Sequence, residues 1–412
     1  MQAKYNIVYE SKKVKEIDDF IDSIKVPRII NKGFSTQAIH GATDLEKFEG
    51  SLSTPIYMAA PFAFKTNEQA YSSHMYGRVS TPTSVAFEKV MAAVEHGKYA
   101  ITYCTGIIPI YSLLALFNPG DHILLPFECY GGTRGIEKEL LNKDKGYTIE
   151  YVKMENIEEV KRAIKPETKF ILMETPTNPK LYLTDIESVV ALAKEKGIVT
   201  AMDNTVATPY LMNPLDMGVD IVMHSYAKYI GGHSDLMGGV LVMNDEPLYK
   251  KLKYQSILMG SIASPFNDFL AIRGMKTLKL RVDTCCRSAY IIAHWLKKHR
   301  NVDLVYFPGL VDHPGHELAK KQMRGFGGMV AFEVKGDKEV TKKVVDSFKL
   351  FTIAGSLGGV ESLVHMTIYG THKFFSAEEV AEFGIKDTLV RLSIGCEDVT
   401  DLLLDLDQAL NF

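Results

Sequence analysis

Asp203 closes the apolar run GIVTAMD, and Lys228 follows the apolar run VDIVMHS almost at once. An amine and a carboxylate at the ends of two strand-like runs suit one kind of chemistry. The amine condenses with an aldehyde, while the carboxylate keeps a ring nitrogen protonated. Pyridoxal phosphate has both the aldehyde and the ring. With it, the lysine can take and return a proton at a substrate carbon while the protonated ring withdraws electrons. Taken alone, the same two residues read equally well as a capping Asp at a strand-to-helix turn and a surface Lys.

Other groups complete such a site. The phosphate of the coenzyme needs clustered backbone N–H groups at a helix start. The run YCTGII offers Thr105 and Gly106 there, with Gly106 and Ile107 as the amide donors. Arg78 in YGRVSTPT could add a bidentate charge, Tyr76 and Ser225 could add hydroxyls, and Tyr130 in ECYGGT could lie flat on the ring. Glu174 and Asn178 in ETPTNP would border the ring. Arg391 sits on the otherwise apolar run TLVRLSIG, so it either pairs with a protein acid or waits for a substrate carboxylate. Each of these residues has an ordinary reading as a cap, a packing residue or a surface residue. Their combination carries the argument.

The elements that must position these residues alternate. Short β-rich runs recur at KYAITY, DHILLP, TIEYVKM, KFILMET, GIVTAMD, VDIVMHS and GGVLVMN, with amphipathic helix-length segments between most of them. That pattern predicts an α/β fold with a mainly parallel sheet. Such sheets bind ligands at the carboxyl ends of their strands, where Glu174, Asp203 and Ser225 all fall. After about residue 262 a long helical stretch from Asn267 gives way to GGMVAFEVK, TLVRLSIG and a closing helix from Asp398, which predicts a smaller α+β domain. Before residue 65 the chain has no regular period and reads as an arm that packs on something else, a neighbouring subunit being one support. The expected division is an arm over 1–64, a cofactor-binding domain over 65–262 and a C-terminal domain over 263–412.

Composition narrows the function classes. The chain has 412 residues, 46% of them hydrophobic, enough for a large core. Its 47 basic and 50 acidic residues are interspersed, which points away from nucleic acid or an anionic membrane and toward small solutes. No apolar run reaches the length of a membrane span, and the first residues mix charges, so a cytoplasmic location is expected. The five cysteines include no CxxC pair. Cys285 and Cys286 read as packing residues in a helix, and His313 and His316 as loop residues, so no metal site is expected.

Taken together, GFSTQAIHG, YGRVSTPT, ECYGGT, ETPTNP, DNT, HSYAKYIGGHSD, GMKTLKLR, FPGLVDHPGHELAKKQM, SLGGVESL and LVRLSIGCEDVTDLLLDLDQAL resemble the cystathionine synthase and lyase family of Cys/Met metabolism. The resemblance runs from about Gly33 to Leu410. It implies a fold type I pyridoxal phosphate enzyme of the transferase-like kind: a large α/β domain, a smaller C-terminal domain and an extended N-terminal arm. It implies that Lys228 binds the coenzyme and moves protons, Asp203 meets the ring nitrogen, Tyr130 stacks and assists catalysis, and Gly106, Ile107 and Ser225 hold phosphate. Arg391, Ser356 and Asn178 would take the substrate carboxylate. Tyr76 and Arg78 would come from the adjacent subunit of a homotetramer built as a dimer of dimers.

Several positions depart from the family pattern. Ala227 stands where threonine is usual, and bulky Tyr226 precedes it. Gly77 and Thr81 replace serine and asparagine, VHMTIYGTHKFF replaces the common stretch after SLGGVESL, and Gly355 replaces a glutamate. Loss of that glutamate removes an anchor for a distal ammonium, and Tyr369 with the region around Met366 is expected to favour a smaller or more apolar thioether. The resemblance implies a carbon–sulfur lyase that eliminates a thiol and releases a 2-oxo acid and ammonia. A γ-replacement synthase acting on an O-acylated homoserine is the alternative, and a non-catalytic coenzyme-binding relative is a second.

Overall fold

The computed structural model describes residues 33–69, 72–138, 146–369 and 383–411. The first part of the expected arm, 1–32, lies outside the described residues, as does the GTHKFF end of the departing stretch.

All seven expected runs form strands of one sheet: β1 (Tyr99–Tyr103), β2 (His122–Pro126), β3 (Thr148–Val152), β4 (Thr168–Glu174), β5 (Val199–Asp203), β6 (Ile221–Ser225) and β7 (Gly239–Met243). Their spatial order is β1-β7-β6-β5-β4-β2-β3. Neighbours from β6 to β3 pair parallel, and β7 is antiparallel to both β6 and β1. The inner runs are mostly apolar because both faces are covered, whereas β3, at the edge, is partly exposed. Met173, Met202 and Val222 enter one core, and Leu172, Ala201 and Met223 enter the other.

The helices that bear on the site are α1 (Phe34–His40), α2 (Pro82–Val94), α3 (Ile107–Leu114) and α4 (Gly131–Ile136). α1 was not legible as a period in the sequence. Together with its flank it buries Ala38, Ala42 and Phe48 in the chain's own core, so this part of the arm does not rest on a neighbour alone. At Thr81 the departure from asparagine keeps a cap. Its hydroxyl accepts from Ser84 N at 3.1 Å, and its own N–H donates to Ser84 Oγ at 2.9 Å, the reciprocal arrangement that starts a helix cleanly.

The long helical stretch is two helices, α5 (Pro265–Met275) and α6 (Leu278–Leu296). Arg281 stitches the break. Its guanidinium donates to Gly274 O at 2.7 Å, Tyr229 O at 2.6 Å and Ile230 O at 3.3 Å. α6 is thereby tied to the loop that follows Lys228. Farther along, α6 buries Ala289, Ile292 and Leu296 against a second sheet. That sheet contains β8 (Val302–Tyr306), β9 (Met329–Val334), β10 (Thr352–Ile353), β11 (Leu363–Met366) and β12 (Leu389–Ser393), in the order β10-β11-β12-β9-β8. All its pairs are antiparallel except β10 with β11.

Candidate functional site

A cavity of about 380 Å³ opens at the carboxyl ends of β4, β5 and β6. Glu174, Asp203 and Ser225, the last residues of those strands, line it, and so does Lys228. From α3 and α4 come Gly106, Ile107 and Tyr130, and from the loops Asn178 and Ser356. The sheet explains the convergence, since parallel strands bring their carboxyl ends to one edge.

Glu174 and Asp203 are register partners on adjacent strands, so two carboxyls stand side by side. Glu174 Oε2 accepts from Tyr130 N at 2.9 Å. Burial, followed by the neighbouring Asp203 charge, holds the Glu174 carboxyl well above the usual range. Asp203 Oδ1 accepts from Thr205 N at 3.0 Å. Its carboxyl is also raised, by burial first, while the Thr205 hydrogen bonds, His224 and Lys228 oppose the rise.

Lys228 Nζ lies 3.2 Å from Ser356 Oγ. Burial pushes its ammonium below the ordinary lysine value, and the like charge of Arg391 pushes the same way, against the pull of Asp203. An amine so placed is more often unprotonated, which is the form that attacks an aldehyde or takes a proton from carbon.

At the start of α3 the backbone comes close to Ser225. A Cβ on Gly106 would fall 2.4 Å from Ser225 Oγ, so only glycine lets the helix N-terminus and this hydroxyl share the space. Thr105 Oγ1 lies beside them, buried and without a protein partner. N–H groups at a helix start and two nearby hydroxyls suit a phosphate.

Arg391 is buried in β12. Its Nη1 donates to Asn178 Oδ1 at 3.2 Å and its Nη2 to Ser356 O at 2.8 Å, while Nε is buried without a partner. Burial lowers the guanidinium to about 10. Among the described residues no carboxylate pairs with it, so of the two sequence readings the geometry favours a fork waiting for a ligand.

Two expected residues lie elsewhere in this chain. Arg78 Nη1 donates to Ile257 O at 2.8 Å and its guanidinium lies 5.7 Å from the Tyr76 ring centroid. Both border a separate exposed hollow with Met58 and Gly260. The expectation for Tyr369 and Met366 needs correction. Lys338 Nζ lies 5.1 Å from the Tyr369 ring centroid, and Met366 is buried in the core of the second sheet, so neither lines the cavity. His313 and His316 bond loop backbone at Gly315 N and Pro308 O. Sequence reading missed Thr205, Leu236 and Met237 as cavity residues. Thr205 had a signal, since it follows Asp203 in DNT at the spacing of a carboxyl-to-backbone turn. Leu236 and Met237 had none, because they lie in an irregular loop.

These residues fit pyridoxal phosphate. A buried amine stands ready for an aldehyde, a buried carboxylate can meet a ring nitrogen, and a glycine-lined helix start with an unpartnered hydroxyl can take a phosphate. Comparison with known proteins agrees. Residues 35–411 match the family model described as Cys/Met metabolism PLP-dependent enzyme. The chain is 41% identical to a cystathionine gamma-lyase of Dictyostelium discoideum over 92% of its own length and 98% of that protein's. It is 40% identical to a cystathionine beta-lyase of Coxiella burnetii over 91% and 97%. The crystal structure of cystathionine gamma synthase from Xanthomonas oryzae pv. oryzae in complex with cystathionine superposes with a TM-score of 0.90 at 37% identity, covering 92% of this chain and 98% of that one.

Proposed function

Because the chain belongs to the family of Cys/Met metabolism PLP-dependent enzymes, it is a pyridoxal phosphate enzyme of carbon–sulfur elimination or γ-replacement, and of these we propose elimination: a lyase acting on a sulfur amino acid. The observation that carries this reading over the synthase is the cavity wall beyond Lys228. Leu236, Met237 and Leu357 form it, and among the described residues the only carboxylates lining the cavity are Glu174 and Asp203. Gly355, where a glutamate would stand, faces open space. A second amino acid, entering as nucleophile, has no anchor there for its ammonium, whereas water needs none.

When bound, pyridoxal phosphate supplies an aldehyde for an amine and a ring that stabilises negative charge at the substrate's Cα. Lys228 holds the coenzyme, then moves the Cα proton with its Nζ, and for loss from Cγ takes a second proton at Cβ. Asp203 keeps the proton on the ring nitrogen. Gly106 and Ile107 N–H groups with Ser225 hold the phosphate. Tyr130 covers the ring and assists the departing thiol, and Glu174, fixed to Tyr130 N, borders it. Arg391 binds the substrate carboxylate, steered by Asn178 and Ser356.

The same reading gives a homotetramer, a dimer of dimers, in which Tyr76 and Arg78 serve the neighbouring subunit's phosphate. The support is that in their own chain they lie outside the Lys228 cavity. It also divides the chain into 1–64, 65–262 and 263–412, supported by the two sheets falling wholly within the second and third segments. A cytoplasmic location accords with the composition. Among the described residues no helix is long and apolar enough to cross a membrane.

Incubation with cystathionine, methionine, cysteine and O-acetylhomoserine, with and without added thiol, separates the readings. The lyase releases a 2-oxo acid without added thiol. A synthase forms a thioether only when thiol is present, and a sample that takes up the coenzyme yet yields neither product marks a non-catalytic relative.

A further inference from the structure

Behind the site lies a group of buried polar residues that the proposed chemistry does not use. Met223 lines the cavity, so the side chain of His224, the next residue of β6, passes to the opposite face of the sheet. There its Nε2 meets Glu95 Oε1 at 2.5 Å. Both side chains are almost wholly excluded from solvent. Asn204, which directly follows Asp203, donates from Nδ2 to the same Glu95 Oε1 at 3.0 Å and to Met212 O at 3.0 Å. Asn213 Nδ2 donates to Glu95 Oε2 at 3.3 Å and to Val94 O at 2.8 Å, and its Oδ1 accepts from Arg324 Nη2 at 2.6 Å. One carboxyl therefore gathers the ends of β5 and β6 from behind.

Glu95 stands at the C-cap of α2, where the helix end is itself partly negative. A carboxyl buried there needs its hydrogen bonds met, and His224, Asn204 and Asn213 meet them. The groups facing Asp203 are His224 on β6, Lys228 in the following loop, Glu174 on β4 and the Thr205 N–H. Those facing His224 are Glu95 and, one strand away, Asp203. Besides Lys228, His224 is the group on the protein side whose charge would favour the ionised form of Asp203.

We propose that Glu95 is a positioning residue for the coenzyme. Through His224 and Asn204 it fixes the carboxyl ends of β5 and β6, and it holds the His224 imidazole behind Asp203, where a charge on that ring favours the ionised acid at the place the ring nitrogen binds. The inference rests on the reading of Asp203 as the ring's partner. If the charge is withdrawn, Asp203 ionises less readily, the ring loses its proton and withdraws fewer electrons. The nitrogen shared by coenzyme and lysine then holds its own proton to higher pH.

The test is a pH titration of the visible absorbance of the pyridoxal phosphate-loaded protein and of its Glu95→Gln, His224→Asn and Asp203→Asn variants, with a thermal melt of each. The expected result is a midpoint moved upward in all three variants, most in Asp203→Asn. A shift in Asp203→Asn with none in Glu95→Gln and His224→Asn, even if their melting temperatures fall, overturns the inference and leaves Asp203 in its role. No shift in any variant overturns the Asp203 reading, and this inference with it. If Glu95→Gln does not fold, His224→Asn decides alone, since it removes the imidazole and leaves Glu95 its Asn204 and Asn213 donors.

Discussion

Lys228 Nζ and Ser356 Oγ are 3.2 Å apart, although one belongs to the loop after β6 and the other to the segment between β10 and β11. The amine of the large sheet thus touches a residue whose backbone carbonyl holds Arg391. The proton transfer proposed for Lys228 and the carboxylate binding proposed for Arg391 would thus meet at a single serine.

Lys228→Ala is expected to reduce turnover by at least about a thousandfold, the scale of losing a positioned acid–base group. Because burial and Arg391 lower its ammonium, the free-base form appears at lower pH than in an ordinary lysine. In protein stripped of coenzyme, the rate of pyridoxal phosphate uptake should therefore rise with pH through a midpoint below the usual lysine value. Stopped-flow absorbance across pH measures it.

Arg391→Ala is expected to raise KM for amino-acid substrates about 100-fold, as loss of charge-assisted hydrogen bonds worth about 3 kcal/mol implies. Binding of coenzyme should change far less, because the Arg391 contacts go to Asn178 and Ser356. Steady-state kinetics and a coenzyme titration on the same variant separate the two.

Gly106→Ala places a methyl 2.4 Å from Ser225 Oγ and 3.1 Å from Ser225 Cα. It should weaken coenzyme binding by spreading the helix start from β6. Gly135→Ala, in α4, meets nothing within 4 Å and should leave affinity unchanged. Fluorescence titration with pyridoxal phosphate compares them.

Asp268, wholly buried beside the Tyr226 hydroxyl at 3.0 Å, has its carboxyl pushed up to about 8 by burial. A carboxyl raised above its unfolded value binds a proton on folding, so its contribution to stability is full below about pH 4 and is lost as pH rises toward 8. The difference in stability between the parent and Asp268→Asn should fall with rising pH across that window, by up to about 1.4 kcal/mol per pH unit. Above pH 8 it should level off. Denaturant melts at several pH values read this directly.

Much of the large sheet was legible because its inner strands are covered on both faces and read as mostly apolar runs. β8 was not, because Asp303 and Leu304 are exposed and its period is broken. β10, only two residues long, gives no period at all. The break between α5 and α6 was hidden because neither Lys276 nor Thr277 is a Gly or Pro, and the Arg281 contacts that tie it to Tyr229 and Ile230 join distant segments. The site divides in the same way. Asp203, Ser225 and Lys228 lie close in sequence, the first two ending strands and the third just after one, so spacing exposed them. Glu95 and His224 are 129 positions apart, and nothing local in either run marks them as partners.

The most direct measurement is borohydride reduction of the pyridoxal phosphate-loaded protein, followed by digestion and mass spectrometry. One pyridoxyl group is expected, carried by the peptide containing Lys228 and abolished in Lys228→Ala. A label on any other lysine, or none at all, contradicts that expectation.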